Sequence, residues 1–94
     1  MRCKIAILDD EQSQIEYLRS SVLEWSEENG YACQVSVFPS AEAFLFEYGA
    51  VGGVDILLLD IEMSGQSGID LAKQLRRNGN HSEIIFITYN PINI

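Results

Sequence analysis

At residues 54–65 the chain reads VDILLLDIEMSG, in which a run of four aliphatic side chains ends in a carboxylate before turn-forming residues. A short, continuously apolar run is typical of a parallel strand that is covered on both faces. Asp60 breaks this pattern directly after the predicted strand Asp55–Leu59. The same change occurs near the N-terminus, where the predicted strand Cys3–Leu8 runs into the acidic sequence DDE at residues 9–11. Two buried strands that each end in carboxylates are therefore the main clue to fold and function.

Composition narrows the classes of protein to consider. The chain has 94 residues, enough for one small domain, and its net charge is −8. This charge argues against a nucleic-acid-binding surface, which needs clustered Lys and Arg, and favours a cation or a basic partner surface as the ligand. No apolar run is long enough to predict a membrane span. Cys3 and Cys33 lack the spacing of a metal or redox motif, so we interpret them as two small buried residues in a reducing, cytoplasmic compartment.

Apolar periodicity predicts helices that alternate with the strands. The further predicted elements are a helix from about Ser13 to Asn29, a strand over Ala32–Phe38, a helix over Ala41–Tyr48, a helix from a Ser67 cap to about Arg77, and a strand over Ile84–Thr88. The order βαβαβαβ with short connections predicts an α/β fold, a doubly wound parallel sheet with helices on both faces.

The acidic strand ends predict a cation site. In doubly wound sheets, ligands bind beyond the carboxyl ends of the strands, where the strand order reverses. With the order 2-1-3-4, Asp9 and Asp10 face Asp60 across about 5 Å. Carboxylates this close tend either to hold a proton or to bind a cation, and hard oxygen ligands suit Mg²⁺. A phosphoryl donor could then approach Asp60 as a nucleophile. The alternative is that these aspartates only cap turns and helices. That interpretation explains an aspartate at one strand end, but it explains less well why two strands end in the same way.

Four segments carry a family resemblance: ILDDE at residues 7–11, LLDIEM at residues 58–63, GQSG at residues 65–68 and IFIT at residues 85–88. In this order and spacing they resemble the receiver domain of two-component response regulators, with most similarity to receivers of LytTR-type regulators. The resemblance implies a flavodoxin-like (CheY-like) fold. It also implies that residues 1–94 are one receiver domain, truncated after the fourth strand and lacking the usual last helix–strand–helix.

The same resemblance implies a role for each site residue. Asp60 would be the phospho-acceptor that takes a phosphoryl group from a sensor histidine kinase. Asp10 and Asp60 would bind Mg²⁺ directly, Asp9 largely through water, and the backbone carbonyl of Glu62 would be a further ligand. Thr88 would be the switch hydroxyl that responds to the phosphate, and the side chain of Glu62 would tune how fast the phosphate is lost. Such a domain phosphorylates itself as a signalling switch, in transcription regulation for example, and is not a turnover enzyme.

Two departures from the family pattern leave an alternative open. Ser64 stands where many receivers have Pro, which we interpret as a minor loss of rigidity. Receivers also have a Lys close to the acceptor, whereas Lys4 and Lys73 are the only lysines of this chain and both are predicted far from Asp60. The alternative function is therefore a phosphorylation-impaired receiver remnant that acts only as a metal- or protein-binding module.

Two other classes of protein fit this sequence less well. A haloacid-dehalogenase-like phosphatase would also use Asp60 as nucleophile, but it needs a second Asp where this chain has Glu62. FMN binding on the same layout is disfavoured because acidic strand ends repel its phosphate.

The strand Ile84–Thr88 would be an uncharged edge strand, so we expect the chain to self-associate through this edge.

Overall fold

Seven elements alternate along residues 2–50 and 52–88, which are the residues described by the structure, a computed structural model. In chain order they are β1 (Arg2–Leu8), α1 (Gln12–Glu28), β2 (Ala32–Phe38), α2 (Ala41–Tyr48), β3 (Ile56–Asp60), α3 (Gly68–Arg77) and β4 (Glu83–Ile87). The strands form one parallel sheet in the order β2-β1-β3-β4. The predicted flavodoxin-like fold and strand order are confirmed. The expected lack of a further helix–strand–helix concerns residues after Thr88, which lie outside the described residues.

Helices cover both faces of the sheet. Successive side chains of a strand point to opposite faces, so each buried strand packs against helices on both sides. On one face, α1 packs through Leu18 and Val22 against Ile5, Ile7 and Leu58. On the other face, α2 and α3 complete a larger core. Its fully buried side chains include Leu8, Phe44, Leu57, Leu59, Leu71 and Leu75. The apolar runs of β1 and β3 are thus explained by burial on two sides.

Predicted helix ends are visible as hydrogen bonds and backbone angles. The side chain of Ser40 accepts a hydrogen bond from the Ala43 amide at 3.1 Å, and that of Ser67 accepts one from the Asp70 amide at 3.1 Å. Each bond satisfies a backbone N–H that the first turn of a helix leaves without a partner. Gly30, after α1, has a φ angle of 71°, a left-handed conformation that glycine adopts without steric cost.

The strand β4 forms one edge of the sheet and leaves apolar side chains in solvent. Ile85 is 52% exposed and Phe86 is 46% exposed, and alternation places them on opposite faces. Trp25 has the helical spacing of Leu18 and Val22 on α1, but it is half exposed and stacks on Tyr31 with ring centroids 5.2 Å apart. Among the described helices, none combines the length and apolar character needed to cross a membrane.

Candidate functional site

The carboxyl ends of β1 and β3 lie side by side, because Leu8 of β1 pairs with Leu59 of β3 in parallel register. An aspartate follows in each strand, and the structure brings Asp9, Asp10 and Asp60 together. Each of the three offers a carboxylate oxygen, and these oxygens lie within 4.8 Å of one another. The acidic cluster depends on the strand order, because β1 and β3 are neighbours in the sheet but are not consecutive in the chain.

Asp9 is the most deeply buried member of the cluster, with 1% of its surface exposed. Its amide donates a hydrogen bond to the carbonyl of Phe38 at 3.1 Å, which fixes it against the end of β2. Its Oδ1 accepts a hydrogen bond from the Glu11 amide at 3.0 Å. Its Oδ2 is buried and accepts no hydrogen bond from the described residues. A buried carboxylate oxygen without a donor is costly, so this atom indicates a place for a proton or a cation.

Asp60 ends β3 and is 5% exposed. Burial is the main cause that raises the pKa of its carboxyl from the ordinary 3.8 to about 6. The Glu62 amide, which donates to its Oδ1 at 3.1 Å, lowers the pKa, whereas the charges of Asp9 and Asp10 raise it. The close approach of the Asp9 carboxyl raises it further. A cation beside Asp60 would therefore favour the charged form of its carboxyl.

Asp10 is exposed, and the loop after β3 holds it in place. Its Oδ2 accepts two hydrogen bonds from Ser64, one from the amide and one from the side-chain hydroxyl, each at 3.2 Å. The sequence interpretation treated Ser64 only as the loss of a proline. A proline has neither of these donors. Ser64 is thus a site residue that the sequence reasoning missed, and its only signal was a hydroxyl in the loop that follows the acidic strand end.

Gly68, the first residue of α3, explains how the helix approaches the site so closely. Its amide donates a hydrogen bond to the carbonyl of Ile61 at 3.1 Å. A β-carbon at this position would collide with the backbone carbonyl of Asp60. Only glycine fits here, so the packing of α3 against the end of β3 fixes the backbone that carries Asp60.

The other predicted residues lie around the cluster. Glu62 is exposed, and its backbone amide is the group that contacts Asp60. Thr88 follows β4 directly after Ile87, whose Cα pairs with that of Asp60, and it is exposed. Lys73, in contrast, lies on α3 and lines a groove with Arg76, Arg77 and Phe86. The described residues therefore place no lysine at the carboxylates, since Lys4 lies near the start of β1, about 17 Å along the strand from its acidic end.

The donor set fits a hard divalent cation. Asp9, Asp10 and Asp60 supply carboxylate oxygens, the ligand atoms that Mg²⁺ prefers. Asp9 contributes a buried oxygen that accepts no hydrogen bond from the described residues. Asp60 contributes a carboxyl whose charged form is disfavoured by burial. A cation would relieve both unfavourable features at once.

The flavodoxin-like sheet with an acidic cluster at its switch point matches the arrangement that the resemblance to receiver domains implies. A model of the response regulator receiver domain matches residues 5–92. The chain belongs to the family of response regulator receiver domains, the phospho-acceptor modules of two-component signalling.

Individual relatives agree with this assignment. The response regulator protein TmoT of Ectopseudomonas mendocina is 34% identical over 84 residues, which cover 89% of this chain and 35% of TmoT. The chain therefore spans about a third of the length of this curated relative. The solved structure of response regulator StyR is similar over 100% of this chain and 44% of its own, with a TM-score of 0.76 and 29% identity. The response regulator protein TrrA of Thermotoga maritima was solved with Mg²⁺-BeF. It is similar over 94% of this chain and 70% of its own, with a TM-score of 0.73 and 28% identity.

Proposed function

We propose that this receiver accepts a phosphoryl group on Asp60 and binds Mg²⁺ through Asp9, Asp10, Asp60 and the backbone carbonyl of Glu62. The observation that carries the proposal is the buried Oδ2 of Asp9, which has no hydrogen-bond donor and lies within a cluster of carboxylate oxygens less than 4.8 Å apart. The raised pKa of Asp60 supports it, because an anion that burial disfavours gains most from a cation. The similarity to TrrA, which was solved with Mg²⁺-BeF, supports the choice of metal.

Each residue has a definite task in this proposal. Bound Mg²⁺ supplies positive charge that offsets the negative charge of the incoming phosphoryl group. A carboxylate oxygen of Asp60 attacks phosphorus, and the bond to the phosphohistidine nitrogen of a sensor kinase breaks. Ser64 orients Asp10, and the Glu62 amide orients Asp60. Thr88, at the carboxyl end of the neighbouring strand, is the switch hydroxyl, and the exposed side chain of Glu62 tunes loss of the phosphate.

The wider setting follows from the same proposal. The chain acts as a switch that phosphorylates itself once per signal and not as a turnover enzyme. Residues 1–94 form one receiver domain, similar to those of LytTR-type regulators, and the sensor kinase is its partner. The cysteines of the described chain are free thiols, which fits a reducing, cytoplasmic compartment.

The test of phosphorylation is the intact mass of the chain after incubation with Mg²⁺ and acetyl phosphate. We expect one phosphoryl group on the native chain, none without Mg²⁺ and none on Asp60→Asn. Asp70→Asn is the matched control, because it removes an exposed carboxyl from α3 and should be labelled like the native chain. Labelling of Asp60→Asn at the native level would refute the assignment of the acceptor.

A failure of labelling has a defined meaning. Calorimetric binding of Mg²⁺ without any phosphoryl adduct would replace the proposal with the receiver remnant that only binds a metal or a protein. The specific observation in favour of that second function is that the described residues place no lysine at the carboxylates.

We also propose that two copies associate through the β4 edge. An edge strand presents backbone groups without a strand partner, and β4 adds two half-exposed apolar side chains, Ile85 and Phe86. Ile85→Lys should shift the chain toward monomer in sedimentation experiments over a range of concentrations. Phe46→Lys is the matched control, since Phe46 is 92% exposed on α2 and should leave the oligomeric state unchanged. A native chain that stays monomeric at high concentration would exclude this interface.

A further inference from the structure

Strand pairing brings the two cysteines of the chain together at the end of the sheet opposite the acidic cluster. Cys3 of β1 and Cys33 of β2 are direct partners in the parallel register. Residues in this relation point to the same face, and adjacent strands are about 4.8 Å apart. The two cysteines are thirty positions apart in the sequence, which hides this relation, and only the register of β1 with β2 reveals it.

The surroundings of the pair are those of two reduced, partly accessible thiols. Both cysteines are free and half-buried. They pack at the border of the core on the α1 face, which Leu18 and Val22 help to form. Burial is the main cause that raises the pKa of the Cys3 thiol, and the neighbouring Cys33, the carboxylate of Asp55 and a hydrogen bond between the two thiols add to it. The Cys3 thiol is therefore mostly protonated at neutral pH and reacts through its small thiolate fraction, with Cys33 beside it in the sheet.

We propose that Cys3 and Cys33 form an oxidisable dithiol, which hydrogen peroxide converts into a disulfide that joins β1 to the edge strand β2. One sulfur attacks peroxide, so that an S–O bond forms, the O–O bond breaks and water leaves. The second sulfur then attacks the resulting sulfenic acid, so that the S–S bond forms, the S–O bond breaks and a second water leaves. In sum, two thiols lose two electrons and two protons, and one peroxide is reduced to two waters.

The position of the pair allows this bond and keeps it reversible. Disulfides span Cα separations of about 4.4–6.8 Å, which includes the spacing of in-register neighbours, but their β-carbons must come within about 4.5 Å. Cys33 is the second residue of β2, which pairs only with β1 among the described strands, so this end can move toward β1. Residual strain would make the bond easy to reduce, which is the property of regulatory rather than structural disulfides.

The dithiol is independent of the phosphoryl site. Cys3 and Asp9 are six residues apart along an extended strand, or about 20 Å. The bond would close a loop that contains the whole of α1 and would fix β2 in the sheet. Labelling of Asp60 by acetyl phosphate should therefore be the same before and after oxidation, and either proposal can fail without the other.

The test treats the reduced native chain with hydrogen peroxide, alkylates it with iodoacetamide and measures the intact mass. We expect the chain to lose two hydrogen atoms and to take up no alkyl group, and dithiothreitol should restore two alkylation sites. Survival of both thiols at a dose that oxidises free glutathione would overturn the proposal. So would oxidation that yields only sulfinic acid, or only disulfide-linked dimers.

Two comparisons show whether the fold makes the pair. In Cys33→Ser, peroxide should give a sulfenic acid on Cys3 that dimedone traps, with no internal bond. The native chain in urea, where a long flexible loop must close, should form less internal disulfide at the same dose. An equal yield in urea would refute the idea that the β1–β2 register positions the thiols, and this comparison does not depend on the folding of any variant.

Discussion

Replacing Asp60 with asparagine should stabilise the fold at neutral pH, although it removes the acceptor. Burial first, and then the charges of Asp9 and Asp10, raise the pKa of Asp60 from 3.8 to about 6 against the opposing effect of the Glu62 amide. This change in pKa corresponds to about 3 kcal/mol of free energy by which the folded state disfavours the charged carboxylate. Asparagine has nearly the same size and no charge, so Asp60→Asn avoids this cost.

The pH dependence has a definite sign. The folded chain has the higher pKa, so between pH 3.8 and about 6 it binds one more proton than the unfolded chain. The free energy of unfolding of the native chain therefore falls as the pH rises through this window and stays reduced above it. Asp60→Asn lacks this titration. It should be more stable than the native chain by up to about 3 kcal/mol at about pH 7.5, and nearly equal at about pH 4.

The measurement is urea unfolding followed by circular dichroism at both pH values, in EDTA. Glu24→Gln is the matched control, because it removes an exposed carboxyl from α1 and should not reproduce the pH-dependent gap. Adding Mg²⁺ at the higher pH should stabilise the native chain more than Asp60→Asn, because a cation offsets the buried charge. An Asp60→Asn chain that is no more stable than the native one at neutral pH would refute this account of the site.

Three further substitutions test the surroundings of the site. Ser64→Ala should weaken Mg²⁺ binding several-fold in calorimetry, because Asp10 loses a hydrogen bond worth about 1 kcal/mol; unchanged affinity would contradict this role. Gly68→Ala should destabilise the chain by about 1–3 kcal/mol in urea unfolding, since its β-carbon meets the carbonyl of Asp60, and a neutral result would show that α3 can shift. Leu71→Ala should cost about 2–5 kcal/mol, whereas Ile69→Ala, half exposed on the same helix, should cost much less; equal losses would contradict the described packing of α3.

The fold was predictable because its signals are local and strong. The apolar run Ile56–Leu59 is short and uninterrupted, which indicates a strand buried on both faces, and Ser67 marks the start of α3 with a side-chain cap. Short connections between strands and helices then allow few topologies. These patterns determined the element boundaries to within one residue, because each depends on neighbours in the sequence.

The details that were missed depend on contacts between distant segments. Ser64 meets Asp10 across 54 residues of chain, and nothing near either residue signals that contact. Cys3 and Cys33 looked like separate buried residues because only the strand register makes them neighbours. Trp25 has the right spacing for the apolar stripe of α1, but it lies near the end of the helix, where Tyr31 stacks on it at the margin of the sheet. Periodicity predicts which face a residue is on, but it does not show where the opposing surface ends.

The acidic cluster couples the chemistry of the site to the stability of the domain. Placing a charged Asp60 in its buried position costs about 3 kcal/mol, and a buried oxygen without a donor, such as Oδ2 of Asp9, costs about 1–3 kcal/mol more. Domains of this size have a total stability of only about 5–14 kcal/mol. A ligand that binds only the folded chain adds its binding free energy to that stability. Charge at the ends of β1 and β3 therefore lowers the stability of the whole domain, and a cation bound by the cluster should restore part of that stability.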